Sequence, residues 1–430
     1  MRFILALVLY RLLFLLLTPL LLVVLLLRSI NHRAYRQRLL ERLGFTSSTL
    51  QPGGIIVHAA SVGEVIALKP FITELLNDYA NLPVTVTTFT PTGSAQVKKL
   101  FADKVQHCYL PLDNIFSTQV FLARLKPKVM IFMETELWPN IIAQCQKQQI
   151  KLLLINGRLS DKSMRSYQKL AWLITPTIQR FDKILTQSQV NQDNYLAMGA
   201  SAKHCELSGN LKFDISVNHD VAAKQQELTS LISQQRKVWL VASTHPGDEV
   251  LALQAFAQIK QQQHDALLII VPRHPERFDQ VAKLAQADGY QVVKRSTQHS
   301  VTQQTDIWII DTLGELLATC ALADVVTMGG SFSDIGGHNP LEPALFKKPV
   351  IVGPNMSNFS EILLQLKSEQ AIVQIAENEN MPQTLADEVL ALFSHENNAQ
   401  RVGENGYKVV QANQGATARS LTALQTLLRV

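Results

Sequence analysis

The residues of this chain that can do chemistry stand in short polar segments, each directly behind an apolar run. Ser61-Val-Gly-Glu64 follows Ile55–Ala60, Glu134-Thr-Glu136 follows Val129–Met133, and Arg273-His-Pro-Glu-Arg277 follows Leu267–Val271. Glu64 beside Gly63 has the makings of a general base with space for an incoming hydroxyl. The Ser61-to-Glu64 spacing is also that of a helix capping box. A helix N-terminus favours the carboxylate anion, which would lower the pKa of Glu64 and weaken it as a base. Glu134 and Glu136, two residues apart, can point to different sides, so one of them is expected to be structural. Lys212, in Ser-Gly-Asn-Leu-Lys-Phe, either reaches a shared cleft or is a solvated surface lysine.

A second group of segments suits phosphate. The Arg273 guanidinium can grip it bidentately, and Ser243 and Thr244 could donate hydroxyls to the same anion. His245 reads first as a hydrogen-bonded loop residue and second as a catalyst. In Met328 to Phe346, Gly329, Gly330, Gly336 and Gly337 would let backbone approach a ligand, and Asn339-Pro340 would start a helix whose N-terminus favours phosphate. Glu342 would then bind ribose hydroxyls from the first turn, or form a capping-box-like pair with Asn339. Asp311-Thr-Leu-Gly-Glu315 holds another possible box, Thr312 with Glu315.

A scaffold that brings such segments together is legible in the rhythm of the chain. Apolar runs at 55–59, 84–88, 129–133, 151–155 and 183–186 alternate with longer amphipathic segments, and after a polar stretch at 216–237 the rhythm restarts at 238–242, 267–271, 307–310, 324–328 and 349–352. That pattern predicts two doubly wound α/β domains, 30–215 and 216–415, whose polar rims face a cleft, with a C-terminal helix at 416–430 packing back on the first. Ligands of such sheets bind beyond the carboxyl ends of the strands, where the polar segments lie.

Composition limits what the chain can be. With 430 residues, 47% apolar and 17% charged, it is neither disordered nor low-complexity. Residues 1–42 hold seven Arg against Glu41, so the formal +5 leaves −1 for the remainder, and no nucleic-acid partner is expected. Phe3 to Leu27 is almost purely apolar and as a helix would reach about 37 Å, enough to span a hydrocarbon core of roughly 30 Å. Arg11 inside it would cost ~2.5–3.5 kcal/mol at mid-depth, and lies close enough to one end to snorkel. Residues 1–29 are therefore expected to anchor the chain. Arg28, His32, Arg33, Arg36, Arg38 and Arg42 behind them place the rest on the cytoplasmic side and attract anionic or phosphorylated lipids. Cys108, Cys145, Cys205 and Cys320 are far apart, with neither disulfide nor zinc spacing, and are expected to be buried. There is no Walker A loop, G-x-G-x-x-G, H-E-x-x-H or D-x-D pair, so no cofactor and no metal are expected.

HAASVGE at 58–64, TFTPTGS at 88–94, METELWPN at 133–140, NGRLSDKS at 156–163, SGNLKFD at 208–214, RHPERF at 273–278 and GGSFSDIGGHNPLEPA at 329–344 resemble the motifs of the Kdo transferases of Gram-negative bacteria. Those enzymes attach 3-deoxy-D-manno-oct-2-ulosonic acid (Kdo) from CMP-Kdo to the phosphorylated lipid A precursor (lipid IVA). The resemblance covers nearly the whole chain. It implies a GT-B fold with an N-terminal anchor in the inner membrane and metal-independent inverting transfer. By motif, Glu64 would be the general base, with Glu134 and Lys212 stabilising the transition state. The CMP site would comprise Pro272 and Arg273, Leu313, Gly314 and Glu315, and Asn339, Pro340, Leu341 and Glu342. Two departures fall at the donor edge: Asp248 in STHPGD in place of the usual Glu, and Asn355 where His is commoner.

Overall fold

The computed structural model describes residues 2–217, 219–233 and 235–429. The chain divides into two units, one running to Asp214 and resuming at Asn413, the other spanning Ile215–Ala412.

The first unit is built on β1 (Ile55–His58), β2 (Val84–Thr88), β3 (Gln106–Tyr109), β4 (Val129–Met133), β5 (Lys151–Gly157), β6 (Lys183–Thr186) and β7 (Cys205–Leu207). They form one parallel sheet in the order β3-β2-β1-β4-β5-β6-β7. A parallel sheet is covered by helices on both faces, and alternate strand residues divide between two apolar layers. Val57, Ile131 and Ile155 join Phe71 and Leu75 on one side, while Ile56, Phe132 and Leu154 join Phe121 and Ile142 on the other. The C-terminal helix Ala416–Leu428 belongs to the first layer through Leu421 and Leu424. Asp214 fixes its start by accepting from the Gly415 amide at 2.7 Å and from the Thr417 amide, and Arg419 Nε donates to the Ser208 carbonyl at 2.7 Å.

The N-terminal helix, Arg2–Asn31, is long and apolar enough to cross a membrane. It packs against the helix Ala171–Ile178 of the same unit. Pro19 lies inside it, and the Thr18 hydroxyl donates to the Phe14 carbonyl at 2.6 Å, one turn back.

The second unit repeats the plan with β8 (Val238–Thr244), β9 (Leu267–Pro272), β10 (Val292–Lys294), β11 (Ile307–Ile309), β12 (Val325–Met328), β13 (Val350–Val352) and β14 (Val373–Gln374). All are parallel, in the order β10-β11-β9-β8-β12-β13-β14, over a core that includes Trp239, Val241, Phe256 and Ile270. The polar stretch before β8 is not bare linker. It folds as the helix His219–Leu231, which buries Leu228 and sends Lys224 and Glu227 to the Arg295–Glu315 pair. The four cysteines are free and buried.

Candidate active site

In each sheet the strand order reverses between two neighbours, β1 and β4 in the first and β8 and β12 in the second. Loops leaving such a pair diverge to opposite faces and open a crevice at the strands' carboxyl ends.

Glu64 leaves β1 on the short helix Val62–Ala67. The capping box forms: Ser61 Oγ accepts from the Glu64 amide at 3.3 Å and donates to Glu64 Oε1 at 2.8 Å. The other carboxylate oxygen takes the Ala60 amide at 2.9 Å, one residue earlier than the cap residue itself. These bonds favour the anion, yet the net shift is opposite to the one a helix N-terminus predicts. Burial comes first and the charge of Glu134 second, and together they push the Glu64 carboxyl up to about 7. A helix of six residues has too little dipole to outweigh them. A Cβ at Gly63 would meet only Ser61 Oγ, at 3.9 Å, so packing does not require glycine there and space is left beside the carboxylate.

Glu134, directly after β4, holds a left-handed backbone at φ 57°. Its amide donates to the Ile155 carbonyl at 3.1 Å, and its carbonyl accepts from Tyr195 Oη at 3.1 Å and the Arg158 amide at 3.3 Å. Strained backbone persists where surrounding bonds over-determine it, and such residues cluster at functional sites. Glu136 is tied into the surrounding fold. It accepts from Trp138 Nε1 at 2.7 Å and faces His58 Nε2 at 3.4 Å. Burial alone would raise its pKa, but His58 and Trp138 outweigh burial and hold it below the ordinary value. Lys212 lies between Leu211 and Phe213, both buried, on a single 3-10 turn capped by Asn210. The Leu211 amide donates to Asn156 Oδ1 at 3.0 Å, tying this segment to the end of β5, next to β4.

In the second unit Pro272 ends β9 and is buried, while Arg273 is exposed and its guanidinium makes no hydrogen bond among the described residues. The Arg273 amide is held by the Thr244 carbonyl at 3.1 Å. Arg277 is committed elsewhere, to Glu249 at 2.6 and 3.0 Å, and the Thr244 hydroxyl also donates to Glu249, so neither suits the anion. Asp248 joins two loops by accepting the amides of His245 (2.8 Å) and Gly330 (2.7 Å). Asn355 braces the glycine loop by donating to the Ser333 carbonyl at 2.9 Å.

The glycine loop differs from its sequence reading at its helix and at its glycines. Asn339 Oδ1 accepts from the Leu341 amide at 3.2 Å, but Pro340 is the N-cap rather than the first helical residue, and the helix Leu341–Ala344 is a single turn, too short for a useful dipole. The glycines answer to the fold's own packing. A Cβ at Gly329 would lie 2.6 Å from the Ser243 carbonyl oxygen, and one at Gly337 (φ 76°) 2.2 Å from Met356 Sδ. Glu342 forms no box with Asn339. Burial pushes its carboxyl up to about 7, against the opposing pull of Arg273. Glu315 is buried and spent on Arg295 (both contacts 3.2 Å) and Thr312, leaving exposed Leu313 and the backbone of Gly314 to face solvent.

A histidine cluster, of which the sequence singles out only His245, completes this surface. His245 and His338 stack with centroids 5.0 Å apart and Nε2 atoms 2.8 Å apart, and His274 meets His245 edge-on at 5.2 Å. Burial first, then repulsion from His245, Arg273 and His274, holds His338 down to about 3. The sequence signal was three histidines, each behind a different strand of one sheet.

A family model described as 3-Deoxy-D-manno-octulosonic-acid transferase (kdotransferase) matches residues 37–215. The 3-deoxy-D-manno-octulosonic acid transferase of Haemophilus influenzae is 39% identical over 421 residues, 97% of this chain and 98% of that protein. The chain belongs to the Kdo transferase family. Kdo transfer in lipopolysaccharide synthesis is therefore its reaction. The enzyme of the same description from Bordetella pertussis is 32% identical, covering 86% of this chain and 87% of its own. Two parallel seven-stranded sheets are the GT-B plan. The same fold, at 14% identity and TM-score 0.56, occurs in a putative UDP-N-acetylglucosamine 2-epimerase from Listeria monocytogenes, over 87% of this chain and 96% of that one. The C-terminal CMP-Kdo binding domain of WaaA from Acinetobacter baumannii is 31% identical over 44% of this chain and 97% of that domain, with a TM-score of 0.41.

Within this Kdo transferase, Glu64 and Glu134 come together at the β1/β4 switch point, close enough for one charge to raise the other's pKa. In the second unit Arg273, directly after β9, and Glu342, in the helix Leu341–Ala344, are likewise close enough for the Arg273 charge to act on the carboxyl.

Proposed function

We propose that the enzyme transfers Kdo from CMP-Kdo to a phosphorylated lipid A precursor, lipid IVA, by metal-independent inverting displacement with Glu64 as general base. The observation that carries this is the Glu64 carboxyl, pinned by Ala60 and Ser61 and raised to about 7. A base with a pKa near the working pH is ionised in about half of the molecules and still accepts a proton readily. Glu64 takes the proton of the acceptor hydroxyl, whose oxygen bonds to the anomeric carbon of Kdo. The bond from that carbon to the CMP phosphate oxygen breaks, and CMP departs with its electron pair. Lys212 balances the Kdo carboxylate, and Glu134 favours the developing oxocarbenium charge. Arg273, a free guanidinium at the end of β9, takes the leaving phosphate, and Glu342 the ribose hydroxyls. Leu313 and Gly314, with Asn339 to Leu341, line the nucleotide site, and Glu315 holds the Leu313–Gly314 loop from behind through Arg295. The N-terminal helix holds the catalytic units on the cytoplasmic side of the inner membrane, and the Arg-rich segment behind it attracts anionic lipids.

Mass spectrometry of the lipid made by the purified enzyme from CMP-Kdo and lipid IVA tests the substrates, and a product without added Kdo rejects them. Activity is expected to persist in excess EDTA, and a loss restored by Mg²⁺ would reject the metal-free mechanism. Arg273→Ala is expected to weaken CMP binding about 10–100-fold, the worth of a charge-assisted hydrogen bond, with an unchanged melt because the side chain is exposed. Unchanged CMP affinity by calorimetry moves the phosphate elsewhere.

A further inference from the structure

The N-terminal helix wears its polarity inward. Between Phe3 and Leu27 its side chains with hydrogen-bonding groups are Tyr10, Arg11 and Thr18, and all three are tied to the first unit. Tyr10 Oη donates to Asp113 Oδ2 at 2.8 Å, Arg11 Nε donates to Asn140 Oδ1 at 3.0 Å, and Asn114 Nδ2 donates to Thr18 Oγ1 at 3.2 Å. Asp113 is itself locked into the fold. It accepts the amides of Asn140 and Ile141, both at 2.9 Å, at the start of the helix Pro139–Lys147. The opposite face, from Leu5 by way of Leu9, Leu12, Leu16 and Leu20 to Leu27, is apolar and open, with Leu16 78% exposed.

A spanning helix centred near Leu16 would hold Tyr10 and Arg11 within about 9 Å of the bilayer midplane at ~1.5 Å per residue. Asp113, Asn140 and the catalytic unit attached to them would be drawn into hydrocarbon, where charges and irregular backbone are excluded. A docked helix therefore does not cross. We propose that it lies along the membrane surface, its outward face sunk about 5–10 Å into the cytoplasmic leaflet, so that the enzyme is monotopic. The occupant of that face is a leaflet of anionic phospholipid. Arg28, His32, Arg33 and Arg36, all exposed, follow the apolar face and complement its head groups. Leu170 and Trp172, at the start of the packed helix Ala171–Ile178, and Phe116, two residues from Asn114, add exposed apolar area on neighbouring elements.

This inference rests on the membrane-bound reading above, and its test separates the two. Full-length enzyme carrying an N-terminal epitope tag is reconstituted into sealed vesicles of phosphatidylethanolamine and phosphatidylglycerol, floated, and treated with protease from outside. Molecules whose catalytic units are digested without detergent are expected to lose the tag completely as well. Retention of the tag until detergent is added places the N-terminus across the bilayer and overturns the in-plane helix while leaving the membrane reading intact. Failure to float with the vesicles overturns both. Deleting residues 1–29 is a poorer test, because it uncovers Asp113, Asn114 and Asn140.

Discussion

Glu64→Gln is expected to lower single-turnover Kdo transfer by about 10²–10⁴-fold at saturating donor and acceptor, the usual worth of a general base. The amide of Gln can still accept from Ala60 and donate to Ser61, so a residue acting only as a cap would leave turnover near wild type. Two further readings separate the roles. With the Glu64 carboxyl raised to about 7, wild-type transfer should climb with pH through about 7 and then level off, and the variant should lose that dependence. A carboxyl whose folded pKa lies above its unfolded value keeps its proton better in the native state, so its contribution to stability declines as pH rises from about 4.5 to about 7. Glu64→Gln should therefore melt no lower than wild type at pH 8. Near-wild-type turnover would transfer the base role to Glu134.

Arg295→Met should unfold the second unit more readily by about 3 kcal/mol, the lower end of the cost of breaking a buried ion pair. Arg295 and Glu315 are 6% and 4% exposed, and the guanidinium bridges Glu315 to Glu227. The variant strands the Glu315 carboxylate, with Lys224 at 3.7 Å and the Thr312 hydroxyl as partial compensation. For a unit of this size the loss is a fall in Tm of roughly 6–12 °C. Adding Glu315→Gln should restore most of it, since no buried charge is left alone. Calorimetry checks both, and a single variant within a degree of wild type would show that the pair contributes little.

The strands of this Kdo transferase were legible where they are central and silent where they are not. Each of the ten short apolar runs at 55–59 to 349–352 is an interior strand, because an interior parallel strand is buried on both faces and is built mainly of apolar and β-branched residues. The four strands that left no such run, β3, β7, β10 and β14, are the edges of the two sheets. Gln106-His-Cys-Tyr109 in β3 shows why. An edge strand pairs on one side only, and its residues need not satisfy two apolar layers. The same logic explains the site. Polar residues directly behind interior strands were visible as breaks in apolar runs, which is how Glu64, Glu134 and Arg273 stood out.

What the sequence by itself determined was local: which residues sit in strands buried on both faces, which polar segments follow them, and that the N-terminus is apolar enough for a membrane. Tertiary structure decided the quantities that depend on neighbours remote in sequence. The Glu64 capping box was readable from three residues' spacing, but the direction of its pKa shift came from burial and from Glu134, seventy residues away. Arg277, Thr244 and Glu315 look available in sequence and are spent on Glu249 and Arg295 in the fold. Arg11 reads as a costly charge in a spanning helix until Asn140 is found opposite it, with Asp113 and Asn114 bonded to Tyr10 and Thr18 on the same face. Spacing along a chain reports hydrogen bonds within a turn of helix. Desolvation and charge pairing are sums over space, and only the folded chain brings their terms together.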